Sequence, residues 1–312
     1  MGWGKQRVLV RVPATSANLG PGFDALGLAL TLYDEVSARV IPSGLTIDVC
    51  GEGAADVADT SEMHLVVRAM RAAFDDLGAK QPPGLALGCV NRIPHGRGLG
   101  SSAAAIVAGI LAARALADAG VSAGEALPLA NELEGHPDNV AACLFGGLTI
   151  AWLTGGTPRG IPRAVRLQPA EEITPVAIIA PAPVSTKVAR GLMPGQVPHS
   201  DAARNAGRAA LLIAALTIRP EVLLDATEDR LHQDYRAPAM RPTHELVGRL
   251  RAAGLPAVVS GAGPSVLALL TSAQGRDRLD SIVKETGIEW RVSPLDVERQ
   301  GASVAPGVPS TW

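Results

Sequence analysis

Apolar and polar side chains alternate along RVLVRVPA (7–14), the two-residue period of a half-buried strand, and the run stops at Pro13, which lacks a ladder donor. EVSARVIP (35–42) and GLTIDVCG (44–51) read as two further strands joined by the turn residues Pro42, Ser43 and Gly44. The period then lengthens. HLVVRAMRAAFDDLG (64–78) spaces its apolar residues along one face of a helix and closes on Gly78, a residue suited to the position just past a helix. GLALGCVNRIP (84–94) reads as a strand, and residues 102–119 as a helix of small residues that stops at Gly120.

A Pro/Gly-rich passage, LTGGTPRGIPRAVRLQP (153–169), interrupts the pattern. Beyond it the spacing predicts strands over 175–181, 257–263 and 265–270, and helices over 204–218, around 243–253 and from 275. Strands and helices follow without a regular βαβ rhythm, so the expected class is α+β rather than a doubly wound sheet. The chain divides into an N-terminal unit over 1–165, a C-terminal unit over 166–300 and a loose tail over 301–312. No internal repeat is visible.

At 312 residues the chain exceeds the usual size of one domain, which supports that division. Apolar residues make up 47% and aromatic residues 3%, so the core has to be aliphatic. A formal net charge of -2 argues against a nucleic-acid or membrane-surface partner. Cys50, Cys89 and Cys143 are scattered and odd in number, which fits a reducing compartment and offers neither a zinc site nor a disulfide framework. The N-terminus lacks the long apolar run of a signal peptide, and no stretch is apolar enough to span a bilayer. A cytoplasmic protein is expected.

The chemistry concentrates at PHGRGLGSSAA (94–104), which runs into an apolar helix. It is not a Walker A loop, since no lysine lies between Lys80 and Lys187, and its G-x-G-x-G spacing is not a dinucleotide fingerprint. The physics is the same nonetheless. Glycines let successive N–H groups point into a concavity, and the helix that follows adds its positive end. Ser101 and Ser102 can cap that helix and offer hydroxyls to a phosphate or a magnesium ion. By itself the stretch fits an ordinary tight strand-to-helix turn equally well.

Two other turn-rich segments border apolar strands, PATSANLGPGFDALGLAL (13–30) and SGAGPSVLALL (260–270). With PHGRGLGSSAA they resemble the three signature motifs of the GHMP small-molecule kinases, in the family's order and across nearly the whole chain. Within that superfamily NLGPGFDALGLAL (18–30) and EGHPDNVAACLFGGLTI (134–150) are most similar to the homoserine kinases, as are STKVAR (185–190) and DYRAP (234–238). The resemblance implies a ribosomal protein S5 domain 2-like N-terminal domain and a ferredoxin-like C-terminal domain. It also implies ATP, Mg²⁺ and L-homoserine as ligands, O-phospho-L-homoserine as product, and a homodimer.

On that resemblance the nucleotide falls to Pro94, Gly96, Arg97, Gly98, Leu99, Gly100, Ser101, Ser102 and Ala103, with His64 on the adenine side in HLV where many relatives have NLV. The metal falls to Ser102 and Glu132, with Glu134 two residues on as the alternative carboxylate. The substrate carboxylate needs forked cations, supplied by Arg190 and Arg236. Its ammonium is assigned to Asp24 and Asn139, with Asn18 and His136 nearby, and Thr186, Arg190 and Asn139 surround the reacting hydroxyl. His199, His232 and His244 stand outside these motifs. A kinase for mevalonate or a sugar, and a binding protein built around a glycine turn, are the competing readings.

Overall fold

The computed structural model describes residues 7–54, 61–155 and 160–306. The first part of the chain forms β1 (Val8–Ala17), β2 (Leu26–Val40), β3 (Gly44–Gly51), α1 (Leu65–Asp76), β4 (Gly84–Asn91), α2 (Ser101–Leu116), α3 (Ala123–Glu134), α4 (Pro137–Phe145), β5 (Leu148–Thr154) and β6 (Ile161–Leu167). It continues as β7 (Thr174–Ile179), α5 (Thr186–Gly191), α6 (His199–Thr217), α7 (Leu223–Ala226), α8 (Gln233–Arg236), α9 (Arg241–Ala252), β8 (Ala257–Val259), β9 (Val266–Leu270), α10 (Ala273–Glu285), β10 (Arg291–Pro294) and β11 (Ser303–Pro306). The class is α+β, as the irregular rhythm predicts.

Two sheets organise these elements. The larger has the order β11-β1-β2-β4-β3, and β2 also pairs with β5, which pairs with β6. The long β2 makes this branching feasible: Glu35–Val40 face β4 while Leu26–Leu28 face β5. The smaller sheet is antiparallel, β10-β7-β9-β8. Pro13 does not end β1; the register against β2 shifts between Pro13 and Ala14, and pairing resumes to Ala17. β2 and β3 are not hairpin partners either, because β4 enters between them and pairs with β3 in parallel.

The second sheet explains why SVLALL carries no polar alternation. Val176, Ile178, Val266, Ala268 and Leu270 pack on one side with Leu246, Leu250 and Leu279 of α9 and α10. Ala177, Ile179, Leu267 and Leu269 join the main core with Leu212 and Leu216 of α6. A sheet covered on both faces has apolar residues in both phases. α2 is buried almost all round. α1 can lie close against it because a Cβ at Gly109 would stand 2.5 Å from the Val66 carbonyl oxygen.

The expected division needs two corrections. The 165/166 boundary falls inside β6, which remains in the first sheet through Leu167, because the Pro/Gly-rich passage is partly an edge hairpin. The tail is not loose as far as it is described: Ser303–Pro306 pair with Val8–Arg11, and Ala302 N donates to Cys143 O at 2.8 Å. Residues 307–312 lie outside the described residues. Among the described residues no helix is long and apolar enough to cross a membrane.

Candidate active site

Between β4 and α2 the glycines Gly96, Gly98 and Gly100 take φ of 63°, 74° and 73°. Side chains other than glycine's are strained in that region, and alternating residues of this kind are what converge N–H groups on an anion. Gly100 is the N-cap of α2 and no side chain caps the helix, so the serines occupy its first turn instead of closing it. The helix's positive end is left for an outside anion.

The loop is pinned by the other two motifs. Thr15 N donates to Leu99 O at 3.1 Å, and Ser260 Oγ donates to Gly98 O at 2.6 Å. A Cβ at Gly98 would lie 2.2 Å from Ser260 O, and one at Gly100 2.0 Å from Thr15 Oγ1. Pro94, Leu99 and Ala103 are buried framework and do not face the cavity beside the loop. Arg97 departs from its expected nucleotide contact. Its guanidinium donates to Ala180 O, Pro181 O and His95 O, each at 2.8 Å, bracing the loop against the segment after β7.

Gly96, Gly98, Gly100, Ser101 and Ser102 form one wall of a cavity of about 140 Å³. Asn18, Glu134, His136, Asp138, Asn139, Thr186, Arg190, Arg236, Gly261 and Ala262 form the rest. Residues spread over the whole sequence therefore meet in a space of small-molecule size. Ser102 is shared with two adjoining cavities. One, of about 320 Å³, is lined by Arg68, Leu133 and Glu134; the other, of about 450 Å³, by Val12, Val36, Met63, His64 and Val66. His64, the residue expected on the adenine side, is the N-cap of α1 and lines the second of these cavities.

Each polar group has a specific neighbour. Ser102 Oγ donates to Glu134 Oε2 at 2.7 Å, whereas Glu132 is exposed and lines none of these cavities. Glu134, the alternative carboxylate, is the one that faces the cavity beside Ser102, because two residues along a helix turn a side chain through about 200°. Burial pushes the Glu134 carboxyl up, against Ser102 and His136. Burial opposes charge on His136, but the bond and charge of Asp138, 2.7 Å away, outweigh it and raise His136 above its ordinary value.

Asp138 Oδ1 also accepts from Asn139 N, and Asn139 Oδ1 accepts from Thr15 Oγ1 at 2.8 Å. Asn18, at φ 67°, spends its amide on the fold: Nδ2 donates to Gly261 O at 2.8 Å and Oδ1 accepts from Asp24 N at 2.9 Å. Arg190 NH2 and NH1 both donate to the Asp24 carboxylate, at 2.7 and 3.2 Å. Thr15, Asp138 and Gly261 were missed as site residues. All three stand in quoted motifs, so their positions were visible and their roles were not.

Arg236 differs from the rest. It is 1% exposed, its Nε has no hydrogen-bond partner, and no carboxylate among the described residues lies within ion-pair distance. Burial, then the charge of Arg190, press it below the ordinary guanidinium range. An uncompensated buried charge costs roughly 3–5 kcal/mol, which an anion entering the cavity would relieve. As for a metal, no group of three or more His, Cys, Asp or Glu among the described residues could hold one. The Ser102–Glu134 pair suits an ion that keeps waters and shares phosphate oxygens.

Residues 64–147 match the family model described as the GHMP kinases N terminal domain. The chain is 57% identical to homoserine kinase of Streptomyces coelicolor, covering 96% of this chain and 94% of that one. It is 58% identical to homoserine kinase of Streptomyces avermitilis, covering 96% of each. The crystal structure of homoserine kinase from Cytophaga hutchinsonii superposes with a TM-score of 0.83 at 27% identity, over 98% of this chain and 99% of that one. Similarity of this extent along nearly the whole of both chains settles the lineage, and the chain belongs to the homoserine kinase family of the GHMP kinases.

Proposed function

We propose that the protein transfers the γ-phosphoryl group of ATP to the side-chain hydroxyl of L-homoserine, giving O-phospho-L-homoserine and ADP. The observation that carries this reading is the buried Arg236, a cation beside the glycine loop with no carboxylate partner among the described residues. Arg236 and Arg190 receive the substrate carboxylate, Asp24 the ammonium, and Asn139 Nδ2 with Thr186 orients the hydroxyl. The loop glycines and the first turn of α2 take the phosphates. Ser102 and Glu134 would hold Mg²⁺, which when bound neutralises charge on the phosphate oxygens.

No dedicated general base enters this reading. Asp24 is engaged by Arg190, and Asp138 by His136 and Asn139. Phosphoryl transfer through a loose transition state leaves little covalent work, so positioning and charge neutralisation supply the rate. A homodimer in the cytoplasm, with no nucleic-acid or membrane partner, completes the proposal; light scattering reads the dimer.

A coupled ADP-release assay across homoserine, homoserinol, mevalonate, galactose, serine and threonine tests the reading. Homoserine should be turned over best, and homoserinol, which lacks the carboxylate, poorly. Arg236→Met should lower kcat/KM for homoserine about a hundredfold and change that for homoserinol little. Efficient use of mevalonate or galactose without homoserine would overturn the assignment.

A further inference from the structure

The Arg236 guanidinium is held from behind. NH1 donates to Gly261 O at 3.2 Å and stands 3.1 Å from His232 Nδ1. A guanidinium has only donors, so Nδ1 has to be the accepting nitrogen and the ring hydrogen sits on Nε2. Nε2 in turn faces Gly20 O at 2.9 Å, the acceptor this tautomer requires. Phe23 stacks on the imidazole with centroids 5.2 Å apart, and the Arg236 guanidinium lies 5.3 Å from the same Phe23 ring. Burial, resisted by Asp229 and reinforced by Arg236, holds His232 below its ordinary value and keeps the lone pair on Nδ1. Asp229 is itself occupied, accepting from the backbone N–H groups of Leu231, His232 and Gln233.

We propose that His232, a histidine outside the recognised motifs, is a positioning residue for substrate. Its Nδ1 fixes NH1 of Arg236 so that the rest of the guanidinium is held toward the amino-acid carboxylate. This rests on the carboxylate-binding reading of Arg236. A purely structural histidine would instead act through Nε2, tying the loop at Gly20 to α8.

The two bonds can be separated, because an asparagine amide occupies the place of Nδ1 and a glutamine amide that of Nε2. His232→Asn keeps an acceptor for Arg236 and loses the Gly20 bond; His232→Gln does the reverse. We expect His232→Gln to raise the homoserine KM about tenfold, with kcat and the KM values for ATP and homoserinol within about threefold. His232→Asn should leave the homoserine KM within about threefold of wild type, whatever it does to the melting temperature.

Equal homoserine KM values in the two variants, or equal losses for homoserine and homoserinol, would overturn the positioning role. Arg236→Met separates the two levels of the inference. If that variant discriminates homoserine from homoserinol as strongly as wild type does, the carboxylate reading of Arg236 fails and His232 with it. If the discrimination falls there while His232→Gln keeps it in full, only the role of His232 fails. Should either histidine variant not fold, ¹⁵N-histidine spectra of the wild type decide. The expected result is an unprotonated Nδ1 that shifts on adding homoserine but not homoserinol; a protonated Nδ1 overturns the proposal.

Discussion

Asp34 shows how a single buried carboxylate can be tolerated for the sake of a loop. Its Oδ1 accepts from Arg92 N at 2.6 Å and Ile93 N at 2.8 Å, fixing the chain just before the phosphate loop. Burial nevertheless wins over these bonds and raises its pKa. A carboxyl with a folded-state pKa above its unfolded value contributes stability that is fully present below the unfolded pKa. That stability is lost as pH rises through the folded pKa. Asp34→Asn keeps the Oδ1 acceptor and removes the charge, so it should melt above wild type at neutral pH. The gap should close as pH falls to the acid end of the carboxylate range. A gap that is unchanged across that range, measured by thermal melts, would refute the account. At this scale the sequence was readable where chemistry is local and opaque where direction matters. The positive φ of Gly98 is what its place in a glycine-rich turn suggests, but the Ser260 carbonyl that forbids its Cβ comes from another motif altogether. Glu132 and Glu134 were told apart only by helix phase.

Among elements, the short α5 depends on what it is attached to. Of its six residues only Ala189 is buried, so packing alone gives Thr186 and Arg190 little fixed position. Arg97 supplies the missing anchor through Ala180 O and Pro181 O, and Val184 N donates to Gly96 O at 3.0 Å. The phosphate loop and the α5 segment are therefore placed together. Arg97→Ala should raise KM for both ATP and homoserine by several-fold while lowering the melting temperature little. A variant that affects only one substrate would mean that the two segments are set independently. α1, α2, α9, β1, β3, β4, β7 and β9 were legible within a few residues of their observed ends, whereas β2 begins nine residues before the expected strand and α3 and α4 were not foreseen. α5 and α8 were not, since four to six residues carry no helical period and gain their shape from the partners they meet.

For the molecule as a whole, the last described residues matter more than their polar, proline-rich composition suggests. β11 covers the outer edge of β1, and Leu30 bridges Val297 on the way there. Nothing local in GASVAPGVPSTW announces pairing with the first strand, which is why a loose tail was expected. Removing residues 301–312 should expose the β1 edge, lower the melting temperature by several degrees and promote self-association visible in light scattering. An unchanged melting curve would show that β11 contributes nothing. The Asp24–Arg190 pair has its own whole-molecule consequence, because its partners come from the loop after β1 and from the chain beyond β7. Each is the other's counter-ion, so a ligand bearing only an amine or only an acid strands one of them with a bare charge. A zwitterion exchanges one internal pair for two external ones at no change in the cleft's net charge. On the proposed reading the pair is a two-key lock, with Arg236 left over to welcome an acid, so that it refuses simple amines and opens fully only to a molecule that carries both charges.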